Sequence, residues 1–223
     1  MSDPKPIRVR YQTLEFGDVD IHVRTLRDNQ QFADDDGEAE RLGISSAAWP
    51  LFGVVWTSGE VLARFMNDYD IEGLRILEFG CGIGLTTLLL NQRSADITAT
   101  DHHPSVGDFL EQNVVLNLGR PVPFIRTGWA DGEAGLGLFD LIVASDVLYE
   151  AAHVELVSAF IDQHAKPTCV VVIVDPGRGQ QGRFGRAMAG RGFVHDDVQV
   201  RHEELVTGPF KGRIGRYIRT EPG

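Results

Sequence analysis

Hydrophobic and polar positions change period several times along the chain, and each change marks an element. Apolar Val19, Ile21 and Val23 alternate with polar Asp20, His22 and Arg24, the two-residue period of a strand with one wet face. With Ile7–Phe16 and the Gly17-Asp18 turn, this stretch predicts a hairpin over residues 7–26. Asp34-Asp35-Asp36-Gly37-Glu38-Ala39-Glu40 has no period and reads as an acidic loop. Val61, Leu62, Phe65 and Met66 then repeat at helical spacing, with Thr57 or Ser58 available as a cap. From Arg75 onward, short apolar runs alternate with helical patterns. Strands are predicted over Arg75–Phe79, Ile97–Thr100, Val122–Thr127, Phe139–Ala144 and Cys169–Val174. Helices are predicted over Leu85–Gln92, from Pro104 toward Gly119, over His153–His164 and over Arg183–Ala189. In the second of these, Phe109, Leu110, Val114 and Leu118 share one face, and Gly119 offers a stop. Two strand signals, Phe193–Val200 and Arg213–Arg219, close the chain across Gly208-Pro209-Phe210-Lys211-Gly212.

Strands alternating with helices predict an α/β fold with right-handed parallel crossovers. A last pair of strands with no helix between them predicts one antiparallel strand. The expected architecture is a Rossmann-like, doubly wound, seven-stranded and mostly parallel sheet, preceded by an N-terminal β-hairpin. We place the hairpin and acidic loop in an extension over residues 1–55 and the main domain over residues 56–223. At 223 residues, the chain is long enough for one substantial core.

Composition narrows the partners. Hydrophobic residues make up 43% of the chain and charged residues 24%, as in an ordinary soluble domain. The formal net charge of −11 argues against a phosphate-backbone partner, so no nucleic acid is expected. The charge is uneven, because residues 176–223 carry nine basic against five acidic side chains. No apolar run approaches the roughly 18 residues of a membrane helix. Met1-Ser2-Asp3-Pro4-Lys5-Pro6 lacks the apolar core of a secretory signal. Two distant cysteines, Cys81 and Cys169, suggest neither a disulfide framework nor zinc. We expect a cytoplasmic protein with no membrane partner and no metal.

The candidate chemistry lies at strand ends, where a doubly wound sheet binds its ligands. The first core strand runs through Glu78 into Gly80-Cys81-Gly82-Ile83-Gly84 and then a helix. Such a turn exposes main-chain N–H groups and lets a ligand approach the backbone. The dinucleotide pattern G-x-G-x-x-G is absent, since Leu85 stands where its last glycine would be. Asp101 ends the next strand, about 20 residues after the turn, where a carboxylate can accept both hydroxyls of a ribose. It can equally cap the helix that follows. His102-His103 are adjacent and so point apart, which disfavours a metal site.

An acidic residue before alternating glycines resembles the first motif of class I S-adenosylmethionine-dependent methyltransferases. Val55-Trp56-Thr57-Ser58-Gly59 and the Asp146-x-x-Tyr149 element after Ser145 are similar to the family 16 group of seven-strand protein lysine methyltransferases. Val174-Asp175-Pro176-Gly177-Arg178 resembles the branch that includes the lysine methyltransferase of electron-transfer flavoprotein β. The resemblance spans nearly the whole chain and implies S-adenosyl-L-methionine as cofactor. It implies that Trp56, Glu78, Gly80, Gly82, Gly84, Asp101, Trp129 and Ser145 bind the cofactor. Asp146 and Tyr149 would flank the acceptor channel, Asp146 as a positioning group and Tyr149 orienting the amine or shielding the methyl group. The implied acceptor is a lysine of a protein substrate. A small-molecule N-methyltransferase for an amine or pyridine is the alternative, and a non-catalytic S-adenosylmethionine-binding module a third reading.

Overall fold

A computed structural model describes residues 7–28, 32, 34, 36–131, 135–197 and 210–221. The elements run β1 (Val9–Phe16), β2 (Val19–Leu26), α1 (Glu38–Arg41), α2 (Thr57–Asn67), β3 (Arg75–Phe79) and α3 (Leu85–Gln92). They continue with β4 (Asp96–Asp101), α4 (Val106–Leu116), β5 (Phe124–Arg126), β6 (Phe139–Ser145) and α5 (His153–His164). The chain ends with β7 (Ala165–Asp175), α6 (Gln181–Ala189), β8 (Val194–Asp197) and β9 (Arg213–Arg219).

The main sheet has the order β5-β4-β3-β6-β7-β9-β8. Its pairs are parallel from β5 through β7, and β9 lies antiparallel to both of its neighbours. This is the expected seven-stranded sheet with one reversed strand. Strand order turns back between β3 and β6, so the crevice opens at the carboxyl ends of β3, β4 and β6. The central strands are dry on both faces, as residues from Ile76 through Phe79 and from Leu141 through Ala144 are all buried.

The hairpin is a separate two-stranded sheet, paired from Val9↔Leu26 to Phe16↔Val19. A lone hairpin is marginal in water, and this one is fastened on both face and edge. Its Phe16, Ile21, Val23 and Leu26 side chains join the core formed by α3 and α4. Along the edge of β2, the amide of Asn113 accepts from Arg24 N–H at 2.7 Å, and that of Asn117 accepts from His22 N–H at 2.8 Å. Both amides also donate back, to the Arg24 and His22 carbonyls. Two asparagines one turn apart, Asn113 on α4 and Asn117 at its C-terminal cap, thus stand in for a neighbouring strand.

Several boundaries differ from the sequence expectation. Neither Thr57 nor Ser58 caps α2; Trp56 occupies that place, and among the described residues no side chain caps the helix start. Helix α4 starts at Val106 rather than Pro104, because Asp101 first folds the chain into a tight turn by accepting His103 N–H. It ends at Leu116, so Leu118 lies beyond the helix at φ 54° and is 94% exposed instead of packed on the apolar face. Strand β5 is shorter than expected because Pro121 and Pro123 cannot donate to the sheet. Strand β7 begins four residues earlier than Cys169, at Ala165. Residues 198–200 of the expected strand, Gly208 and Pro209 of the expected turn, and Asp35 of the acidic loop lie outside the described residues. Among the described residues, no helix is long and apolar enough to cross a membrane.

Candidate active site

The carboxyl ends of β3, β4 and β6 border a cavity of about 750 Å³. Of the residues expected to bind the cofactor or flank the acceptor, all line it except Gly84. Residues from Leu42 to Val55, assigned to the extension, form one wall together with Trp56. His102 helps to hold that wall, its Nε2 lying 3.2 Å from the Leu42 carbonyl oxygen.

The floor at one end is the glycine turn. Gly80 and Gly82 both have positive φ, 60° and 53°. A Cβ on Gly82 would come within 3.0 Å of the Phe52 carbonyl oxygen, and one on Gly80 within 3.1 Å of Val147 Cγ1. Glycine is required here for two reasons at once, the left-handed backbone and the chain pressed against it. Gly84 has another job. It is the residue before α3, and a Cβ there would lie 2.4 Å from Leu110 Cδ1, so it lets α3 and α4 pack closely.

Beneath the turn, Glu78 is buried and accepts from both the Thr87 N–H (2.7 Å) and the Thr87 hydroxyl. Burial pushes its carboxyl up to about 7, against the pull of those hydrogen bonds. Asp101 accepts from Gly82 N–H at 3.0 Å and from His103 N–H at 2.8 Å. It therefore ties the glycine turn to the start of the α4 turn, while its carboxylate keeps lone pairs facing the cavity. Burial raises its carboxyl too, and the two backbone donors only partly offset this. The Cys81 thiol is pushed well up by burial and then by the same two acids. This end of the cavity thus disfavours more negative charge and suits a cationic ligand.

The neighbouring part of the cavity offers polar edges and aromatic faces. His102 Nδ1 and His103 Nε2 are buried atoms with no hydrogen-bond partner among the described residues, and both histidines line the cavity. Such atoms call for a polar ligand edge. His103 stacks on Phe52 at 4.1 Å between ring centroids, and burial holds it neutral, with its pKa lowered to about 4. Trp129 follows β5 and packs edge-on against Phe79. Trp56 lines the cavity with its indole N–H fixed on the Leu51 carbonyl at 2.8 Å.

The other end is built differently. Ser145 ends β6, and Asp146 follows with φ 55°, a left-handed conformation that costs a non-glycine residue about 1 kcal/mol. Its N–H is held by the Val174 carbonyl at 2.9 Å. Its carboxylate is held by Arg178 through two bonds, Nε to Oδ1 at 2.6 Å and Nη2 to Oδ2 at 2.8 Å. Asp146 is expected from sequence as a positioning group beside the acceptor channel; the structure pairs its carboxylate with Arg178. Of the two residues whose role the sequence left open, Asp175 makes a turn, accepting from Gly177 and Arg178 N–H. Arg178 enters the cavity wall. Tyr149 sits edge-on against His153 at 4.3 Å and tilts toward Trp129 at 6.4 Å. Burial first, and then Glu150, Asp101 and Asp146, raise the Tyr149 hydroxyl, which stays protonated at neutral pH. His153 was missed by the sequence reading, since a histidine at a helix start looks like surface; burial lowers its pKa.

A family described as Lysine methyltransferase matches residues 45–189, well over half of the chain. Among curated proteins, Protein N-lysine methyltransferase METTL21A from Danio rerio is 32% identical over 118 residues, covering 49% of this chain and 50% of that protein. Magnesium-protoporphyrin O-methyltransferase from Rhodobacter capsulatus is 39% identical over 79 residues, covering 35% of this chain and 34% of that one. The chain therefore spans between a third and a half of the length of these relatives. Among solved structures, magnesium protoporphyrin IX methyltransferase from Synechocystis PCC 6803 with bound SAM superposes with a TM-score of 0.58 at 21% identity, covering 74% of this chain and 78% of that one. That likeness shows the fold, a class I methyltransferase sheet, and the family match extends across the cavity described above. The chain belongs to the lysine methyltransferase family, whose cofactor is S-adenosylmethionine.

Proposed function

We propose that this protein N-methylates a lysine side chain of a protein, using S-adenosylmethionine bound between the glycine turn and Trp129. The observation that carries the reading is the two-ended cavity: two carboxyl groups and glycines at one end, a half-open aromatic wall at the other. Leu51, Trp56, Tyr149 and Leu156 all line it and are 36–47% exposed. A rim of large apolar side chains around an opening suits a macromolecular acceptor that covers it.

The bound cofactor supplies an electrophilic methyl group for an in-line displacement. The chain's own residues supply position and dryness rather than acid–base chemistry. Asp101 would hold the ribose, and Gly80 and Gly82 would admit the amino-acid portion against the backbone. Glu78 would hold the turn from below, Trp56, Trp129 and Ser145 would border the cofactor, and Gly84 would set the packing behind it. A lysine amine near its solution pKa of about 10.4 is neutral in only about one molecule in a few thousand at pH 7. An aromatic, partly dry wall of Trp129, Tyr149 and His153 favours the neutral amine. Tyr149, protonated at working pH, can orient that amine or shield the methyl group.

A small-molecule acceptor is the second reading, favoured by the 39% identity over 79 residues with magnesium-protoporphyrin O-methyltransferase. Incubation with a soluble protein extract and cofactor labelled in the methyl group separates the two. Label that precipitates with protein and is recovered as methyl-lysine on hydrolysis is the expected result. Label confined to small molecules would overturn it in favour of the second reading.

A further inference from the structure

We propose that Arg178 is a positioning residue that keeps the acceptor end of the cavity electrically neutral, so that the acceptor amine enters uncharged rather than as a salt-bridged ammonium. The inference rests on the methyl-donor reading of this cavity and deepens it. A bare carboxylate beside the transfer point would work against the reaction, because it stabilises the protonated amine, which has no lone pair to attack with. Asp146 is such a carboxylate by sequence but not by structure. Both of its oxygens are taken by the planar fork of Arg178, an arrangement lysine could not reproduce.

The pair is built from both sides. Asp146 is held at φ 55° with its N–H on Val174, and Arg178 is aimed by its own N–H on Asp175 at 3.0 Å. Both anchors belong to β7, so the end of one strand sets both partners. Val147, next to Asp146, would touch a Cβ on Gly80 at 3.1 Å, which brings this pair to the edge of the glycine turn where the donor would lie. The other carboxyl groups lining the cavity are Glu78, Asp101 and Asp131, and among the described residues Arg178 is the one arginine or lysine set against them.

The test needs no acceptor. Calorimetry would compare S-adenosylhomocysteine with sinefungin, an analogue carrying an amine where the cofactor carries its methyl group. The ratio of the two affinities reads the charge at the transfer point. For Arg178→Gln we expect unchanged binding of S-adenosylhomocysteine and a rise of about tenfold in relative sinefungin affinity, since the cationic amine would meet a bare carboxylate. Asp146→Asn, which leaves the arginine unopposed, should lower the same ratio about tenfold. The double variant should return it to the wild-type value. A purely structural role would move both ligands together, and an unchanged ratio in Asp146→Asn or in a folded Arg178→Gln would overturn the proposal. Failure of the wild type to bind S-adenosylhomocysteine would instead overturn the methyl-donor reading itself.

Discussion

The two ends of the cavity are held by different means. At the glycine-turn end, the proposed donor end, contacts run between residues close in sequence: Glu78 to Thr87 across nine positions, Asp101 to Gly82 across nineteen. Their partners are largely main-chain N–H groups, with Glu78 buried and Asp101 half-buried at the cavity edge. At the other, the proposed acceptor end, Asp146 and Arg178 meet across 32 positions through side chains alone, and the Arg178 side chain is 43% exposed. Main-chain contacts tolerate changes in side-chain identity and give a fixed shape; paired side chains can be exchanged to suit another acceptor. Cofactor binding and acceptor handling should therefore fail separately when residues are replaced.

The strongest attack on the donor end is Gly82→Val. A left-handed backbone and a Cβ forced to 3.0 Å from the Phe52 carbonyl each carry a penalty, together about 3 kcal/mol. We expect binding of S-adenosylhomocysteine to fall about 100-fold. Binding within threefold of the wild type would mean that the donor does not lie on this turn. Asp101→Asn is milder. It keeps an acceptor for His103 N–H but loses the charge, and a charge-assisted hydrogen bond is worth about 2 kcal/mol, so affinity should drop on the order of 30-fold in calorimetry. Unchanged affinity with a lowered melting temperature would reduce Asp101 to a tie between turn and helix.

Glu78 sharpens the comparison through pH. Its carboxyl is raised in the fold to about 7 from an unfolded value near 4.3, so the folded state holds the proton more tightly. Its contribution to stability is accordingly greatest below about pH 4.3 and is lost as pH rises through about 7. Glu78→Gln removes the titration while keeping an oxygen for Thr87. Between pH 5.5 and 8, wild-type stability should fall by on the order of 2 kcal/mol relative to this variant, measured by denaturant unfolding at each pH. Parallel curves for the two proteins would show that Glu78 is not held in its protonated form.

This difference also governs what could be read from the sequence. The donor end was legible because its parts are local: an apolar strand, a glycine turn and a carboxylate at the next strand end each leave a pattern in a short window. The sheet was legible for the same reason. The Asp146–Arg178 pair was not, although both residues drew attention, because their meeting depends on β7 lying beside β6. Asn113 and Asn117 were passed over on a helix judged by its apolar face, yet their amides hold the hairpin. Leu118 misled in the opposite sense, continuing a helical period past the point where the backbone had already turned.

The smallest effect falls on the acceptor end and is the most discriminating. Tyr149→Phe keeps the ring, and with it the contacts to His153 and Trp129, so the wall retains its shape and S-adenosylhomocysteine should bind as before. Only the hydroxyl is lost, and one hydrogen bond to the acceptor is worth about 1 kcal/mol, or turnover lowered about fivefold to tenfold in the label-transfer assay. Since burial and the neighbouring acids raise this hydroxyl above its ordinary pKa near 10, the deficit should not change between pH 7 and 9. Equal loss of cofactor affinity would place Tyr149 in the donor end, and a deficit that disappears toward pH 9 would point to a proton-transfer role. A constant deficit in turnover, with binding untouched, is what an orienting hydroxyl on a separately built acceptor end produces.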